Sequence, residues 1–449
     1  MTVRAMLVAG WLLLLPGLGW AQALVIREVN VLAMHDGSVR EGQTILVRDG
    51  RIEAVLSPAD AGALTAPREV DGGGAWVIPG LAEMHAHVPP RSRGEQYARD
   101  VLALYLANGV TTVRGMLGEA WHLELRDRLA SGAWHGPRLV TSGPSFNGDS
   151  VTSPAQAAER VRLQAAAGYD FLKLHPGLMR DEFEAIAMTA RELGIPFAGH
   201  VSFDVGLAAA LASGQATIDH LDGYAEALVP SDSPLAGTAP QWFGLNLGHV
   251  LDPARVPDLA RATARAGVWN VPTQSLMETS CGETPLAELM ARRGMEYLSP
   301  ELAQRWRQAV ADIRGRSTPE QRAGLLASRR MLLAALQESG AGLLLGSDAP
   351  QIMNVPGFSV HQELQYLVAA GLSPLAALQS GTLNVARFLG RVDAGEVSDG
   401  MVADFVLLRG NPLQDIRATA SIVGVVRAGE WLDRAELDRW LAEVRQRGL

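Results

Sequence analysis

The stretch Val77-Ile-Pro-Gly-Leu-Ala-Glu-Met-His-Ala-His-Val88 carries two histidines, His85 and His87, one residue apart at the end of an apolar run. The chain has only 10 histidines. In a strand the side chains of residues i and i+2 point to the same side. His85 and His87 can therefore aim together at one point, as a metal ion requires. If this segment is a strand, its end is the first place to look for a site, and the segments after it show whether the pattern repeats.

It does. Short apolar strand candidates alternate with amphipathic helix candidates from here to about residue 350. Eight strands can be read: Leu81–His87, Thr111–Arg114, Arg138–Ser142, Phe171–His175, Phe197–His200, Thr217–His220, Trp269–Pro272 and Leu343–Ser347. Ser153 and Asp204 are expected helix N-caps, and Gly194 and Gly214 expected helix stops. Eight alternating β and α units predict an α/β fold, a (β/α)8 TIM barrel spanning 79–390. An open doubly wound sheet is the competing arrangement; the count of eight and the residues at the strand ends favour the barrel.

The flanks read differently. Residues 24–78 hold short alternating runs broken by Gly and Asp, such as QTILVRDG and RIEAVL, and residues 391–433 hold similar ones, ending in IVGVVRAGEWL. They predict antiparallel strands joined by tight turns, with the two chain ends pairing into a small β-sandwich. A last helix is expected over 434–449, about Arg434 to Arg447. Between the seventh and eighth strands, Ser275 to Gly342 is a long, mostly helical insertion, either a lid over the barrel mouth or an oligomer surface.

Residues 1–23, MTVRAMLVAGWLLLLPGLGWAQA, have one Arg, a short apolar run and Ala-Gln-Ala. They read as a signal peptide cut after Ala23, which implies a periplasmic or secreted protein. The run is short for a permanent membrane anchor. Cys281 is the only cysteine, so no internal disulfide can form. The formal net charge of −9 and the lack of a basic run argue against a nucleic-acid partner.

In a barrel of this kind the C-terminal ends of the strands build the active site. Read in order, those ends carry His85 and His87, then Lys173, His200, His220 and Asp348. A lone histidine at a strand end is usually a hydrogen-bonded rim residue, and a lone Asp after a strand is usually a helix cap. A lysine inside an apolar strand is rarer, because burying an ammonium is costly. Six such groups on one rim point to a two-metal hydrolase. Imidazoles suit zinc, with other divalent ions as alternatives. Paired metals would lower the pKa of a bridging water to hydroxide, and Asp348 is the natural general base.

At this level of detail the chain resembles the amidohydrolase superfamily. VIPGLAEMHAH is similar to its first-strand signature and LANGVTTVRGM to its second strand. GHVSF, IDHLDGY and GSDAP are similar to its later ligand strands, and GEVSDGMVADFVLLRGNPLQDI to its return to the sandwich. Within that superfamily it is similar to exported members related to imidazolonepropionase and to prolidase-like metallopeptidases. Glu83 and Gly115 stand where an Asp is common. The resemblance implies that His85, His87 and Asp348 hold one Zn2+, that His200 and His220 hold a second, and that Lys173, N6-carboxylated by CO2, bridges the two. It implies hydrolysis of an amide or peptide C–N bond in a small substrate, a dipeptide or N-acyl amino acid. The same site could instead open a lactone, carbamate or cyclic amide, and a vestigial site would leave a binding protein. His175, Tyr224 and Arg114 are expected substrate contacts: Tyr224 as a donor to an oxyanion, Arg114 as a bidentate carboxylate ligand. Asp219 and Asp222 are read as supports of the metal ligands or as caps.

Overall fold

A computed structural model describes residues 23–62 and 64–449; the expected signal segment, Ala23 apart, lies outside them. Five strands open the chain: β1 (Leu24–Leu32), β2 (Val39–Arg48), β3 (Arg51–Leu56), β4 (Arg68–Asp71) and β5 (Trp76–Pro79). Seven follow in the middle: β6 (Leu81–Ala86), β7 (Val110–Gly115), β8 (Arg138–Thr141), β9 (Leu172–Leu174), β10 (Phe197–Gly199), β11 (Thr217–Asp219) and β12 (Trp269–Val271). Three close it: β13 (Phe405–Leu408), β14 (Ile422–Arg427) and β15 (Glu430–Asp433).

The two chain ends do pair. They form one eight-stranded sheet in the order β15-β14-β13-β5-β1-β2-β3, with β4 alongside β1. The joint is β5, which pairs antiparallel with β13 (Ile78 opposite Val406) and parallel with β1. Alternation makes the sheet cohere. Ile26 faces Ile45 across β1 and β2, and both pack with Val29, Val31, Phe405, Leu407 and Val426 in one buried cluster. Glu28 takes a left-handed φ of 53°, and the register slips there, as at a β-bulge. The expected sandwich is thus met as far as the pairing of the ends, in a single hydrogen-bonded sheet.

The middle strands are all parallel and form two sheets, β6-β7-β8 and β9-β10-β11-β12. β9, β10 and β11 are three residues each and wholly buried, as strands covered on both faces must be. Among the described residues no closed barrel ladder forms. Isolated parallel bridges at Ser142–Phe171 and Phe146–Leu174 lie between β8 and β9. The expected eighth strand, Leu343–Ser347, is not a strand but a segment bonded on both sides. Leu344 donates to the Asn270 carbonyl of β12 (2.9 Å), and Met84 of β6 donates to the Leu345 carbonyl (2.8 Å). It does not form a ladder because side chains take ladder positions: the Glu83 carboxylate accepts from the Ser347 amide (2.8 Å), and Asn354 donates to the Ser347 carbonyl.

The helix expectations hold with one correction. Ser153 caps Pro154–Ala167, its hydroxyl accepting from the Gln156 amide, and Gly194 and Gly214 end their helices in left-handed conformations. Asp204 caps nothing: the helix starts at Leu207 behind Gly206, whose φ of 74° separates Asp204 from the first turn. The last helix runs Arg434–Arg447, capped by Asp433. The 275–342 insertion holds Leu286–Met290, Pro300–Gly315 and Pro319–Glu338, the last of which lies against Val256–Ala266. No helix among the described residues is long and apolar enough to cross a membrane.

Candidate metal centre

The six strand-end groups meet. His85 and His87 project from the end of β6 and just beyond it. His87 Nε2 lies 2.7 Å and His85 Nε2 3.6 Å from Asp348 Oδ1. One donor atom from each of these three residues lies within 4.8 Å of the other two, a spacing that can hold a cation. The His220 ring stands 4.4 Å from the His85 ring and 4.5 Å from the His200 ring, centroid to centroid. Lys173 is fully buried between these and Asp219, its Nζ 3.8 Å from Asp219 Oδ2. His87 is the partly open member, its side chain 24% exposed.

The backbone is shaped to allow this. Gly199, between Lys173 and His200, has φ 125°; a Cβ there would sit 2.5 Å from the Leu174 carbonyl oxygen and 2.9 Å from Lys173 Cδ. Only glycine lets β10 pass so close to the lysine stem. His220 (φ 61°), Thr273 (48°) and Asp348 (67°) all adopt left-handed backbone. That costs of order 1 kcal/mol apiece for such residues and clusters at functional positions.

Two imidazoles have one nitrogen hydrogen-bonded from behind, and a third has a carboxylate close behind one nitrogen. His85 Nδ1 lies 3.0 Å from Asp219 Oδ2, His200 Nδ1 bonds Asp222 Oδ2 (2.7 Å), and His220 Nδ1 bonds Thr273 Oγ1 (2.9 Å). This arrangement turns the other nitrogen, Nε2, inward, and is the usual bracing of metal-binding histidines. Burial first, then the Lys173 charge, pushes the His200 pKa down to about 3; burial and neighbouring cations also hold His85 and His220 well below their ordinary value. All three are neutral at pH 7, the form that can donate a lone pair. Desolvation pushes Lys173 down to about 8, against the pull of Asp219 and Asp348. Lys173 Nζ and Asp348 Oδ1 are buried with no hydrogen-bond partner. A buried polar atom without a partner is costly, so a donor set left open in this way fits a bound cation.

Two sequence expectations are corrected. Arg114 does not face a substrate. Its Nε donates to the Met84 carbonyl (2.7 Å), and its Nη2 pairs with Asp219 (3.3 Å) and Thr217 (3.2 Å) in a fully buried cluster. Tyr224 does not face one either: its hydroxyl sits between Thr263 (2.7 Å) and Asn270 (3.1 Å). In both cases the polar head is consumed by residues distant in sequence. His175 stays beside the centre, its ring stacked 4.9 Å from that of His200. Desolvation pushes its pKa down to about 2.

Asp219, expected from the sequence as a support or a cap, is placed as a support, and two further groups, Arg329 and Phe243, were not singled out from the sequence. Asp219 is the hub, reaching Arg114, His85 and Lys173; desolvation raises its pKa, but Arg114 and Lys173 bring it net below the ordinary value. The Thr217-Ile-Asp219 alternation puts both polar groups on one side, where Thr217 Oγ1 donates to Asp219 Oδ1 (2.7 Å). Arg329, from the insertion, donates to the His220 and Pro272 carbonyls (both 2.6 Å) and to Gln274 (3.0 Å). Phe243 lies 5.0 Å from the His220 ring. Neither has a local sequence signal.

Residues 76–432 match the Amidohydrolase family. An adenine deaminase of Deinococcus deserti is 28% identical over 414 residues, covering 90% of this chain and 60% of that protein. An imidazolonepropionase of Chromobacterium violaceum is 27% identical over 401 residues, covering 82% of this chain and 85% of its own. The solved structure of a bottromycin amidohydrolase superposes with a TM-score of 0.72 at 25% identity, covering 95% of this chain and 90% of that one. The chain spans about 60% of the length of the adenine deaminase it matches.

Proposed function

The chain belongs to the amidohydrolase family, and from that premise we propose that it is a metal-dependent hydrolase that cleaves the amide C–N bond of a small substrate, a dipeptide or N-acyl amino acid. The observation that carries this is the convergence of four imidazoles, a buried amine and Asp348, with His200 and His220 braced from behind by hydrogen bonds and Asp219 close behind His85. His85, His87 and Asp348 would hold one divalent cation, and His200 and His220 a second, with zinc the best match to imidazole donors. Such ions supply Lewis acidity toward a carbonyl and acidify water. Lys173 Nζ, neutral in part near pH 8, would add to the carbon of CO2 and lose a proton, giving a carbamate whose two oxygens share one negative charge and could serve both ions. The seven parallel strands and the 343–349 segment are read as the wall of a (β/α)8 barrel over 79–390, with its mouth at these residues.

Asp348 does the proton work. Gln351 Nε2 holds its Oδ2 (2.9 Å), while Oδ1 has no hydrogen-bond partner and faces His87. It would take the proton of the attacking water and give it to the leaving nitrogen, which cannot depart as an amide anion. Phe243 over His220 and His200 would offer an apolar wall to the substrate. The adenine deaminase and imidazolonepropionase relatives favour one second reading, a C–N bond in or on a ring. Export is the further reading of residues 1–23, and N-terminal sequencing of the secreted protein should then begin at Leu24.

The test is metal analysis of the purified protein, followed by assays on dipeptides, N-acyl amino acids, cyclic amides and lactones after zinc loading. About two ions per chain and chelator-sensitive amide cleavage are expected. Fewer than about one ion per chain with no chelator-sensitive turnover would instead mark a binding protein with a relic site. Turnover of cyclic substrates alone would move the assignment to the second reading.

A further inference from the structure

At the other end of the parallel strands lies a cavity of about 380 Å³. Its walls come from where the strands begin: Arg138 is the first residue of β8, and Phe171, Pro196 and Ala216 immediately precede β9, β10 and β11. Arg114 forms the partition toward the metal centre. Its guanidinium lies 5.4 Å from each of the Phe171 and Phe388 rings, and its far side pairs with Asp219. The volume is that of a small-molecule pocket.

The charges here do not balance locally. Arg391 is taken by Asp393 (2.9 Å) and Arg427 by Asp404 (3.2 Å). The cavity's own carboxylate, Asp170, is taken by Arg126 (3.0 Å) and the Thr141 amide (2.8 Å). The Arg138 side chain has no hydrogen bond or ion pair to any described residue, and its Nε is buried. Burial first, then the Arg391 charge, lowers its pKa, while Asp404 and Asp393 act the other way. A half-buried guanidinium with open donors, beside apolar side chains, is a poor arrangement for the empty protein and a good one for an anion.

We propose that this cavity binds a small organic monocarboxylate, its carboxylate on Arg138 and its apolar body between Phe171, Ala198 and Phe388. Nothing in the hydrolytic reading requires this pocket.

Calorimetric titration of the metal-loaded protein with benzoate tests it, with benzyl alcohol as the neutral counterpart and inorganic phosphate as an anion lacking an apolar body. One benzoate per chain with a Kd of about 1 mM or tighter is expected, and benzyl alcohol and phosphate should each bind at least about tenfold more weakly. Arg138→Gln should weaken benzoate at least about tenfold, whereas Asp348→Asn should leave its affinity unchanged. Ala216→Leu, which narrows the mouth, should weaken it as well and decides the matter should Arg138→Gln not fold by circular dichroism. No benzoate binding to the wild type overturns the proposal. So does binding unaltered by both cavity substitutions, binding lost with Asp348→Asn, or phosphate binding as tightly as benzoate.

Discussion

Around His85 and His220 buried polar atoms crowd together, whereas around Ile26 and Phe405 the packing is almost wholly apolar. Both regions are largely buried, the strand ends opening only at His87 and its neighbours. In the terminal sheet, burial is itself the stabilising force, at about 25 cal/mol per Å² of apolar surface. At the strand ends burial is a cost, carried by carboxylates behind imidazoles and by left-handed backbone at His220, Thr273 and Asp348. The sheet is therefore expected to govern stability and the strand ends function, and substitutions can separate the two.

The largest effect belongs to Asp348→Asn. It should lower turnover about 10²–10⁴-fold, the usual share of a general base, while thermal unfolding of the chelated protein stays unchanged or rises, since a buried carboxylate with one unpartnered oxygen is replaced by a neutral amide. Turnover within tenfold of wild type would take Asp348 out of the proton path. Phe405→Ala tests the other region. It should cost about 3–5 kcal/mol in urea unfolding with unaltered kcat per folded molecule; a fall in kcat would couple the sheet to the site. Asp222→Ala should weaken metal binding about 10–100-fold by freeing the His200 ring, measured by competition with a chelator. An unchanged affinity would make Asp222 a bystander.

A subtler effect is pH-linked. Glu363 accepts from the Gln274 and Ser275 amides (2.8 and 2.5 Å), yet desolvation pushes its pKa up to about 7 from an ordinary value of about 4.5. Between those values the native state holds a proton that the unfolded state has lost, so this group's contribution falls as pH rises through the window. The stability of wild type relative to Glu363→Gln should therefore drop from about pH 4.5 to about pH 7. A flat difference would mean that the amides keep Glu363 ionised throughout.

The candidate metal ligands were legible because their signal is local. A histidine, lysine or aspartate at the end of an apolar run is marked by its neighbours in sequence, and His85, His87, Lys173, His200, His220 and Asp348 do meet at one place, Asp348 from a segment that is not a strand. Arg114 and Tyr224 were misread for the opposite reason. Arg114's partners, Thr217 and Asp219, lie 103 and 105 residues away, and Tyr224's lie 39 and 46 away. Nothing near either residue says that its polar head is already engaged. Arg329 reaches His220 across 109 residues, from an insertion that composition described only as helical.

What the amino-acid order determined by itself was periodicity: the alternation that buries one face of the terminal strands, the short apolar runs of the parallel ones, and the polar residues that end them. Those depend on neighbours within a few positions. Tertiary structure alone decided which nitrogen of each imidazole faces inward, that Glu83 would occupy a ladder position in place of an eighth strand, and that Arg138 would be left without a counter-charge. Each of these depends on pairing between groups far apart in the chain, and which polar group finds which partner is settled only when the chain is packed and water is excluded.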